Sequence, residues 1–284
     1  EHCEKKAITF FRNGVAETEL TYRELDRESN RAANAFRELG VEKGDRVILF
    51  LPKSLFSIVA HLGLQKMGAV GIPLNPGFKK AEMAYLAHDA QAKLTLIGLD
   101  QEAIIQGIDP DLKAVTIHTE KPYQDLDFFH FAPDDPIEEA VNPEDPGLII
   151  YTSGTTGKPK GAILTQQNLV HDARNVITIW EISERDVLCH ALPLFHVHGL
   201  CFALHTVLMA GAHALVLDRF SPQEVTGLLS KKEGEYVCTL FMAVPPMYGK
   251  LMDHVAEKKL DFEHMRLWTS GSAPLLAKDF ERIE

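Results

Sequence analysis

The sequence has few cysteines, no excess of positive charge and no uninterrupted hydrophobic run long enough to cross a membrane. Its four cysteines lie far apart and form no CxxC pair, which argues against a disulfide scaffold or a zinc knuckle and indicates a reducing compartment. These cysteines are Cys3, Cys189, Cys201 and Cys238. A formal net charge of −11 argues against duplex nucleic acid or an anionic membrane as a partner, because both attract a basic face. We therefore expect no nucleic-acid partner.

The most apolar segment, residues 199–217, does not have the character of a transmembrane helix. His205, His213 and an internal AGAH interrupt it, so a helix, a glycine turn and a buried strand explain it better. No signal peptide is visible in the sequence. We expect a cytoplasmic protein without a transmembrane segment.

Helical and strand patterns alternate along the whole chain, which indicates an α/β fold. In residues 21–40, Thr21 and Glu24 form a capping box, and apolar residues recur on one helical face until Gly40. Apolar runs such as DRVILFL, KLTLIGL and HALVLD are typical of buried strands, and they alternate with helical patterns of this kind. This order predicts mostly parallel sheets that are covered by helices on both faces.

A segment rich in proline and acidic residues divides the chain. Residues 133–146, PDDPIEEAVNPEDP, contain four prolines and six carboxylates, which is typical of an extended, solvated connector. An interaction tail is the alternative, but the position in the middle of the chain favours a connector. We therefore predict two α/β subdomains, residues 1–143 and residues 144–284.

A loop in the second subdomain, residues 152–161 with the sequence TSGTTGKPKG, has the composition of an anion-binding site. It contains three glycines, four hydroxyl side chains and two lysines. Glycines allow backbone N–H groups to face a ligand, while hydroxyls and lysines supply donors and charge for phosphate oxygens. A flexible hairpin tip has a similar composition, but the density of the whole set favours polyphosphate binding.

The two common phosphate-binding motifs do not account for this loop. The nucleoside-triphosphatase motif G-x-x-x-x-G-K-[ST] opens a helix, whereas here the spacing differs, Pro159 follows Lys158, and a strand-like GAILT comes next. The dinucleotide motif G-x-G-x-x-G does not occur in the loop. An unrelated P-loop phosphotransferase is therefore disfavoured.

The segment YTSGTTGKPKG resembles the signature of the adenylate-forming superfamily, which includes acyl-CoA synthetases, the adenylation domains of peptide synthetases and luciferases. The segments TYRELDRESNRAANAFRELGVEKGDRV, GAVGIPLNP, LPLFHVHGL and SGSAPL resemble the same family in the same order. The resemblance implies the large N-terminal α/β domain of such an enzyme. It also implies an acyl-CoA synthetase that uses ATP, Mg²⁺ and coenzyme A to convert a carboxylic acid, through an acyl-adenylate, into a thioester.

The resemblance also implies roles for individual residues. The residues expected around the β- and γ-phosphates are Thr152, Ser153, Gly154, Thr155, Thr156 and Gly157. Thr152 is also expected to help place Mg²⁺, and Lys160 to neutralise the leaving pyrophosphate. His196 is expected beside the carboxylate, with a steric and hydrogen-bonding role. The remaining candidates for the acyl pocket are Val244, Gly271, Ser272 and Ala273.

Two histidines alternate along the segment FHVHG. In an extended segment, His196 and His198 would face opposite ways. A metal site at this pair is disfavoured, because no acidic or cysteine ligand lies at a useful local spacing. We interpret His198 as a structural residue.

The combination of FHVHGL with SGSAPLL most resembles malonyl-CoA synthetases and related fatty acid–CoA ligases. Lys250 stands where the malonate enzymes carry an arginine, and a lysine lacks the bidentate geometry that an arginine offers a carboxylate. A surface lysine is the simpler interpretation of Lys250. We therefore predict an acyl-CoA synthetase, with malonate or another short dicarboxylate as the alternative substrate.

The resemblance covers only the first part of a family member. The segments that hold adenine and ribose, and the small C-terminal domain with its lysine, do not appear before Glu284. We therefore expect an N-terminal fragment that is inactive alone. The alternative of another class is a non-catalytic nucleotide-binding or scaffold protein.

Overall fold

The chain forms two six-stranded, mostly parallel sheets with helices between their strands. They are seen in a computed structural model that describes residues 3–109, 111–129, 132–152, 158–256 and 260–283. The strands in these ranges are β1 (Lys6–Arg12), β2 (Val15–Thr21), β3 (Arg46–Phe50), β4 (Val70–Pro73), β5 (Leu94–Gly98), β6 (Ala114–Ile117), β7 (Pro146–Thr152), β8 (Lys160–Thr165), β9 (Val187–His190), β10 (His213–Leu217), β11 (Leu240–Ala243) and β12 (Leu267–Ser270). The α-helices in the same ranges are α1 (Tyr22–Glu38), α2 (Leu55–Lys66), α3 (Lys80–Ala90), α4 (Glu102–Ile105), α5 (Gln166–Trp180), α6 (Thr206–Met209), α7 (Pro222–Leu229), α8 (Pro245–Val255) and α9 (Ala277–Ile283). This architecture confirms the predicted α/β class.

The first compact unit combines Glu1–Tyr22 with His171–Glu284. Its sheet has the strand order β12-β11-β9-β10-β1-β2, and β2 is the antiparallel edge strand. Strand β1 pairs in parallel with β10, with Ile8 opposite Ala214. The sheet of this unit is therefore assembled from both ends of the chain.

The second compact unit, Arg23–Val170, contains the sheet with the order β6-β5-β3-β4-β7-β8. Its neighbouring strands are parallel except that β8, at the edge, is antiparallel to β7. Ile48 and Phe50 of the sheet and Met83 and Leu86 of α3 are buried in one apolar cluster. Burial of these side chains fixes α3 against the sheet, because removing them from water is favourable.

The two units do not follow the boundary predicted after residue 143. Strands β1 and β2 belong to the sheet of β9 to β12, whereas β7 and β8 join the sheet of β3 to β6. Residues 133–142, all of which the structure describes, have neither helix nor strand, as the composition of the connector predicted. The composition of a connector shows where the chain is irregular, but it carries no information about which sheet the following strands join.

The apolar segment 199–217 has the structure that its sequence predicted. It contains the π-helical segment His198–His205, then α6, a turn at Gly211 with φ of 72°, and the buried strand β10. In the part of the chain that the structure describes, no helix has the length and apolar character needed to cross a bilayer.

Candidate functional site

The glycine-rich loop connects β7 and β8 at the edge of the sheet in the second unit. At the loop end of this antiparallel pair Thr152 is opposite Lys160, so the strands bring the two ends of the loop together. Both residues are exposed, which leaves the hydroxyl and ammonium groups accessible to a ligand. The other predicted phosphate-binding residues lie outside the described residues; they are Ser153, Gly154, Thr155, Thr156 and Gly157.

Gly161 allows the two strands to pair closely next to the loop. It is opposite Tyr151, and a Cβ atom at Gly161 would lie 2.8 Å from Cγ2 of Ile149 and 3.6 Å from Cζ of Tyr151. The first of these distances is shorter than a carbon–carbon contact permits. A residue without a side chain is therefore needed beside the Thr152–Lys160 pair.

Helix α3 contacts the hairpin on both sides of the loop, at strand β7 and at the residue before strand β8. The Tyr85 hydroxyl donates a 3.0 Å hydrogen bond to the backbone oxygen of Pro159. The Tyr151 hydroxyl donates a 2.7 Å hydrogen bond to Oδ2 of Asp89. Burial, and then the hydrogen bond to Asp89, raise the pKa of Tyr151 above its ordinary value, so this phenol remains a donor at neutral pH.

Neither Tyr85 nor Asp89 was identified in the sequence. Both lie on α3, outside the segments that resemble the adenylate-forming family. Their spacing of four residues places them on one helical face, which is a signal available in the sequence. Which strand that face contacts depends on tertiary packing, so the spacing alone could not identify them.

The loop provides an oxygen atom that suits coordination of a magnesium ion bound with a nucleotide. Among the residues placed in the structure, no group of three or more His, Cys, Asp or Glu side chains is arranged to hold a metal. Mg²⁺ in nucleotide sites keeps several waters and takes most of its remaining ligands from phosphate oxygens. A single exposed hydroxyl at Thr152 fits this kind of site, and Thr152 is the residue that would hold the ion.

In the first unit, the predicted acyl-pocket segments follow three adjacent parallel strands. Strand β11 lies between β9 and β12, with Phe241 opposite both Cys189 and Trp268. The carboxyl ends of parallel strands are where open α/β sheets bind ligands. The segments that follow β9, β11 and β12 therefore lie at one edge of this sheet.

His198 contacts the segment that follows β12. Its Nδ1 shares a 3.0 Å hydrogen bond with Oγ of Ser272. Its Cε1 lies 3.0 Å from the position that a Cβ atom at Gly271 would take, so the glycine gives the ring room. The ring makes an edge-to-face contact with Phe202, with centroids 5.3 Å apart. Burial, and then the neighbouring His196, lower the pKa of His198, so the imidazole is neutral at neutral pH.

The segment FHVHG is not extended in the structure, so the condition under which His196 and His198 would face opposite ways is not met. Leu194 and Phe195 form a turn, and the π-helical segment His198–His205 begins three residues later. His196 is exposed, and its ring centroid lies 4.5 Å from that of Phe195. The contact with Gly271 and Ser272 is thus made by the histidine that was interpreted as structural.

Gly199 determines how the chain enters the π-helical segment. A Cβ atom at Gly199 would lie 2.1 Å from the backbone oxygen of Pro193, so only glycine permits this approach. Nε2 of His190 donates a 2.8 Å hydrogen bond to the backbone oxygen of Gly199. Pro193 and Gly199 are turn signals in the sequence, and they could have excluded the extended interpretation.

Val244 and Ala273 lie in segments that a backbone hydrogen bond joins. Gly271 N donates a 3.1 Å hydrogen bond to the oxygen of Ala243, which extends the β11–β12 ladder by one residue. Val244, half-buried, follows this oxygen directly and precedes α8, while Ala273 is exposed. Lys250 is exposed on α8, as expected for a surface lysine.

Comparison with known proteins shows similarity along the whole chain. The profile of the family described as AMP-binding enzyme matches residues 1–284. The chain is 33% identical to the mitochondrial malonate–CoA ligase of Mus musculus, over 91% of this chain and 47% of that protein. It is 30% identical to 4-coumarate–CoA ligase 1 of Narcissus pseudonarcissus, over 93% of this chain and 49% of that protein.

A solved structure with the same fold is that of ATP-bound MatB from Rhodopseudomonas palustris. It superimposes with a TM-score of 0.87 at 31% identity, over 98% of this chain and 54% of that chain. This chain therefore spans about half the length of the proteins that it matches.

Proposed function

The chain belongs to the AMP-binding enzyme family, and on this basis we propose that the intact protein is an acyl-CoA ligase. It converts a carboxylic acid, ATP and coenzyme A into acyl-CoA, AMP and pyrophosphate through an acyl-adenylate. The structural observation that carries the proposal is the pairing of Thr152 with Lys160 at the two ends of the glycine-rich loop. The names of two similar proteins, both CoA ligases, support the same reaction.

In the first half-reaction, a carboxylate oxygen attacks the α-phosphorus of ATP. A bond forms between this oxygen and phosphorus, and the bond from phosphorus to the bridging oxygen of pyrophosphate breaks. A carboxylic acid is already ionised at neutral pH, so the attack needs no general base. Negative charge grows on the leaving pyrophosphate, and a cation held near it lowers the barrier.

We assign the phosphate contacts to the glycine-rich loop. Lys160 supplies the cation for the leaving pyrophosphate, while Thr152 and residues 153–157 contact the β- and γ-phosphates. The exposure of Thr152 and Lys160 supports this assignment. Mg²⁺ bound at Thr152 supplies further positive charge to the phosphates.

We assign the acyl group to the edge of the first unit where β9, β11 and β12 end. His198, Gly271 and Ser272 form one wall through the contacts described above, and Val244 and Ala273 lie beside it in sequence. His196, whose ring is exposed, is assigned to the carboxylate. In the second half-reaction, the sulfur of coenzyme A attacks the acyl carbonyl carbon, the bond to AMP breaks, and the thioester forms.

A short dicarboxylate is the second candidate substrate. The similarity to a protein named malonate–CoA ligase favours it. A second carboxylate in a pocket needs a cationic partner, because an unpaired buried charge is costly. Lys250, the candidate for this partner in the sequence, is exposed on α8, which favours a monocarboxylate.

The proposal is tested by the exchange of labelled pyrophosphate into ATP, measured with the intact protein and a panel of acids. The panel contains short and long monocarboxylates, 4-coumarate, malonate and oxalate, with a control that lacks any acid. We expect exchange that depends on the acid, and the best acid identifies the substrate class. ATP binding without exchange would instead indicate a non-catalytic nucleotide-binding protein, and steady ATP hydrolysis without acid would indicate a phosphotransferase.

A further inference from the structure

Helix α3 is attached to strand β7 and to the residue that precedes strand β8, beside the two residues assigned to phosphate. Tyr85 bonds to Pro159, the residue before Lys160. Asp89 accepts from Tyr151, the residue before Thr152. Each assigned residue is therefore next in sequence to a residue that α3 holds.

These two attachments do more than close the hairpin. The ladder between β7 and β8 already runs from Pro146 opposite Thr165 to Thr152 opposite Lys160. Pairing along this ladder fixes one strand relative to the other. The hydrogen bonds to α3 fix the loop end of the hairpin relative to the rest of the second unit, which pairing between β7 and β8 alone does not do.

Helix α3 is a rigid support for these attachments. Met83, Leu86 and Ala90 are buried in the apolar cluster of the second unit. Tyr85 and Asp89 are four residues apart, so both side chains project from one face of the helix. The buried residues of α3 thus hold the helix, and Tyr85, which packs at the margin of the same cluster, holds the hairpin together with Asp89.

The two lysines in the loop differ in their contact with Tyr85. The ammonium group of Lys158 lies 5.4 Å from the centroid of the Tyr85 ring, within the range of a cation–π interaction. Lys160, opposite Thr152, makes no such contact among those seen in the described residues. Lys158 therefore contributes to attachment of the loop, and Lys160 remains the residue assigned to pyrophosphate.

We propose that Tyr85 and Asp89 are positioning residues, and that α3 sets the location of Thr152 and Lys160 before ATP binds. This inference rests on the ATP-dependent function proposed above. Groups that stabilise developing charge act best when they are already in place, because no reorganisation is then needed during the reaction. A displacement of roughly 1 Å in such a group lowers a rate by about 10²-fold.

Tyr85→Phe and Asp89→Ala test this proposal in the intact protein. Tyr85→Phe removes the hydroxyl but keeps the ring against Lys158, and Asp89→Ala removes the acceptor for Tyr151. We expect each change to lower kcat of pyrophosphate exchange by about 5-fold, and the double change by about 25-fold, because each removes one hydrogen bond. The KM for the carboxylic acid should stay unchanged.

Two control variants separate positioning from general stability. Asp89→Asn keeps an oxygen that accepts from Tyr151, so we expect kcat to stay within about 2-fold of the wild type. Tyr123→Phe removes a comparable 2.7 Å hydrogen bond, from Tyr123 to Oε2 of Glu28 in the same unit, away from the loop. Because this bond is shorter and its acceptor is a carboxylate, the change should lower the unfolding midpoint at least as much as Tyr85→Phe does and leave kcat unchanged.

The outcomes distinguish failure of this proposal from failure of the proposed function. If the wild type exchanges pyrophosphate and both test variants match it, or if Tyr123→Phe lowers kcat equally, α3 has no positioning role. If the wild type shows no exchange with any acid, the proposed function has failed. Calorimetric titration with Mg·ATP then decides the positioning role, which is overturned if the wild type does not bind or if the variants bind equally well.

Discussion

His196 and His198 are separated by a single residue, yet their surroundings differ. His198 shares a hydrogen bond with Ser272 and lies against Gly271, whereas His196 is exposed beside Phe195. Burial chiefly lowers the pKa of His198, and nearby protein atoms that partly desolvate the His196 ring lower its pKa as well, although this residue is exposed. Each histidine is therefore neutral above pH 6.5, the ordinary value, and offers one donor and one acceptor.

Substitution of each histidine by alanine distinguishes their assigned roles. We expect His198→Ala to raise the KM for the carboxylic acid by about 10-fold, because it removes a pocket wall and leaves Ser272 without its partner. His196→Ala should have a smaller effect on that KM, and neither change should alter the KM for ATP. Steady-state kinetics with the best acid measures both constants. A larger effect from His196→Ala would contradict the placement of His198 in the wall.

The residues of the candidate site were predictable to different degrees. Thr152 and Lys160 were proposed as site residues because the glycine-rich segment is long and specific, and the structure pairs them across the hairpin. The contact of His198 was missed because five residues fit both a strand and a helix period. Tyr85 and Asp89 were missed because hydrogen bonds between distant segments follow from tertiary packing.

Among the elements of the fold, the turn that leads into the π-helical segment depends on Gly199. A Cβ atom at this position would lie 2.1 Å from the backbone oxygen of Pro193, which leaves no room for a side chain. The backbone geometry that carries His198 therefore depends on this single residue. This geometry is relevant to the site, because π-helical turns occur often at functional sites. Gly227 offers a matched comparison, because a Cβ atom there would meet no atom within 4 Å.

Alanine at each of these two glycines should have opposite effects on stability. Gly199→Ala should lower the free energy of unfolding by about 1–3 kcal/mol or more, because backbone must move to admit the methyl group. Gly227→Ala, inside α7, should raise it by roughly 0.5–1 kcal/mol, because alanine loses less backbone entropy in a helix. Urea unfolding followed by circular dichroism measures both changes. Wild-type stability in Gly199→Ala would show that the close approach to Pro193 is not required.

Most helices and strands were predictable because their apolar periodicity is regular, but the hairpin β1–β2 was missed. Asn13 and Gly14 connect its strands with φ of 49° and 77°, which is the geometry of a type I′ turn. An Asn-Gly pair between alternating apolar residues is the strongest local signal for such a hairpin. This element was therefore present in the sequence pattern and was overlooked.

At the scale of the whole molecule, the assignment of strands to sheets was not predictable from local pattern. Pairing of β1 with β10 joins segments that are far apart in the sequence, and the Lys5 ammonium supports it with a 2.7 Å hydrogen bond to the oxygen of Gly211. Such pairing is decided by long-range packing of apolar faces. The compact units therefore differ from the division predicted after residue 143, whereas the α/β class was correct.

The central claim is that the glycine-rich loop holds a triphosphate so that a carboxylate can capture the α-phosphorus. Acid-dependent pyrophosphate exchange by Lys160→Ala, with Lys158→Ala as the matched control, tests it most directly. Both variants lose one positive charge, but Lys160 is opposite Thr152 whereas Lys158 lies over Tyr85. We predict that Lys160→Ala lowers exchange by about 10²–10³-fold and that Lys158→Ala lowers it by no more than about 5-fold. Undiminished exchange in Lys160→Ala, or equal losses in the two variants, would contradict the account.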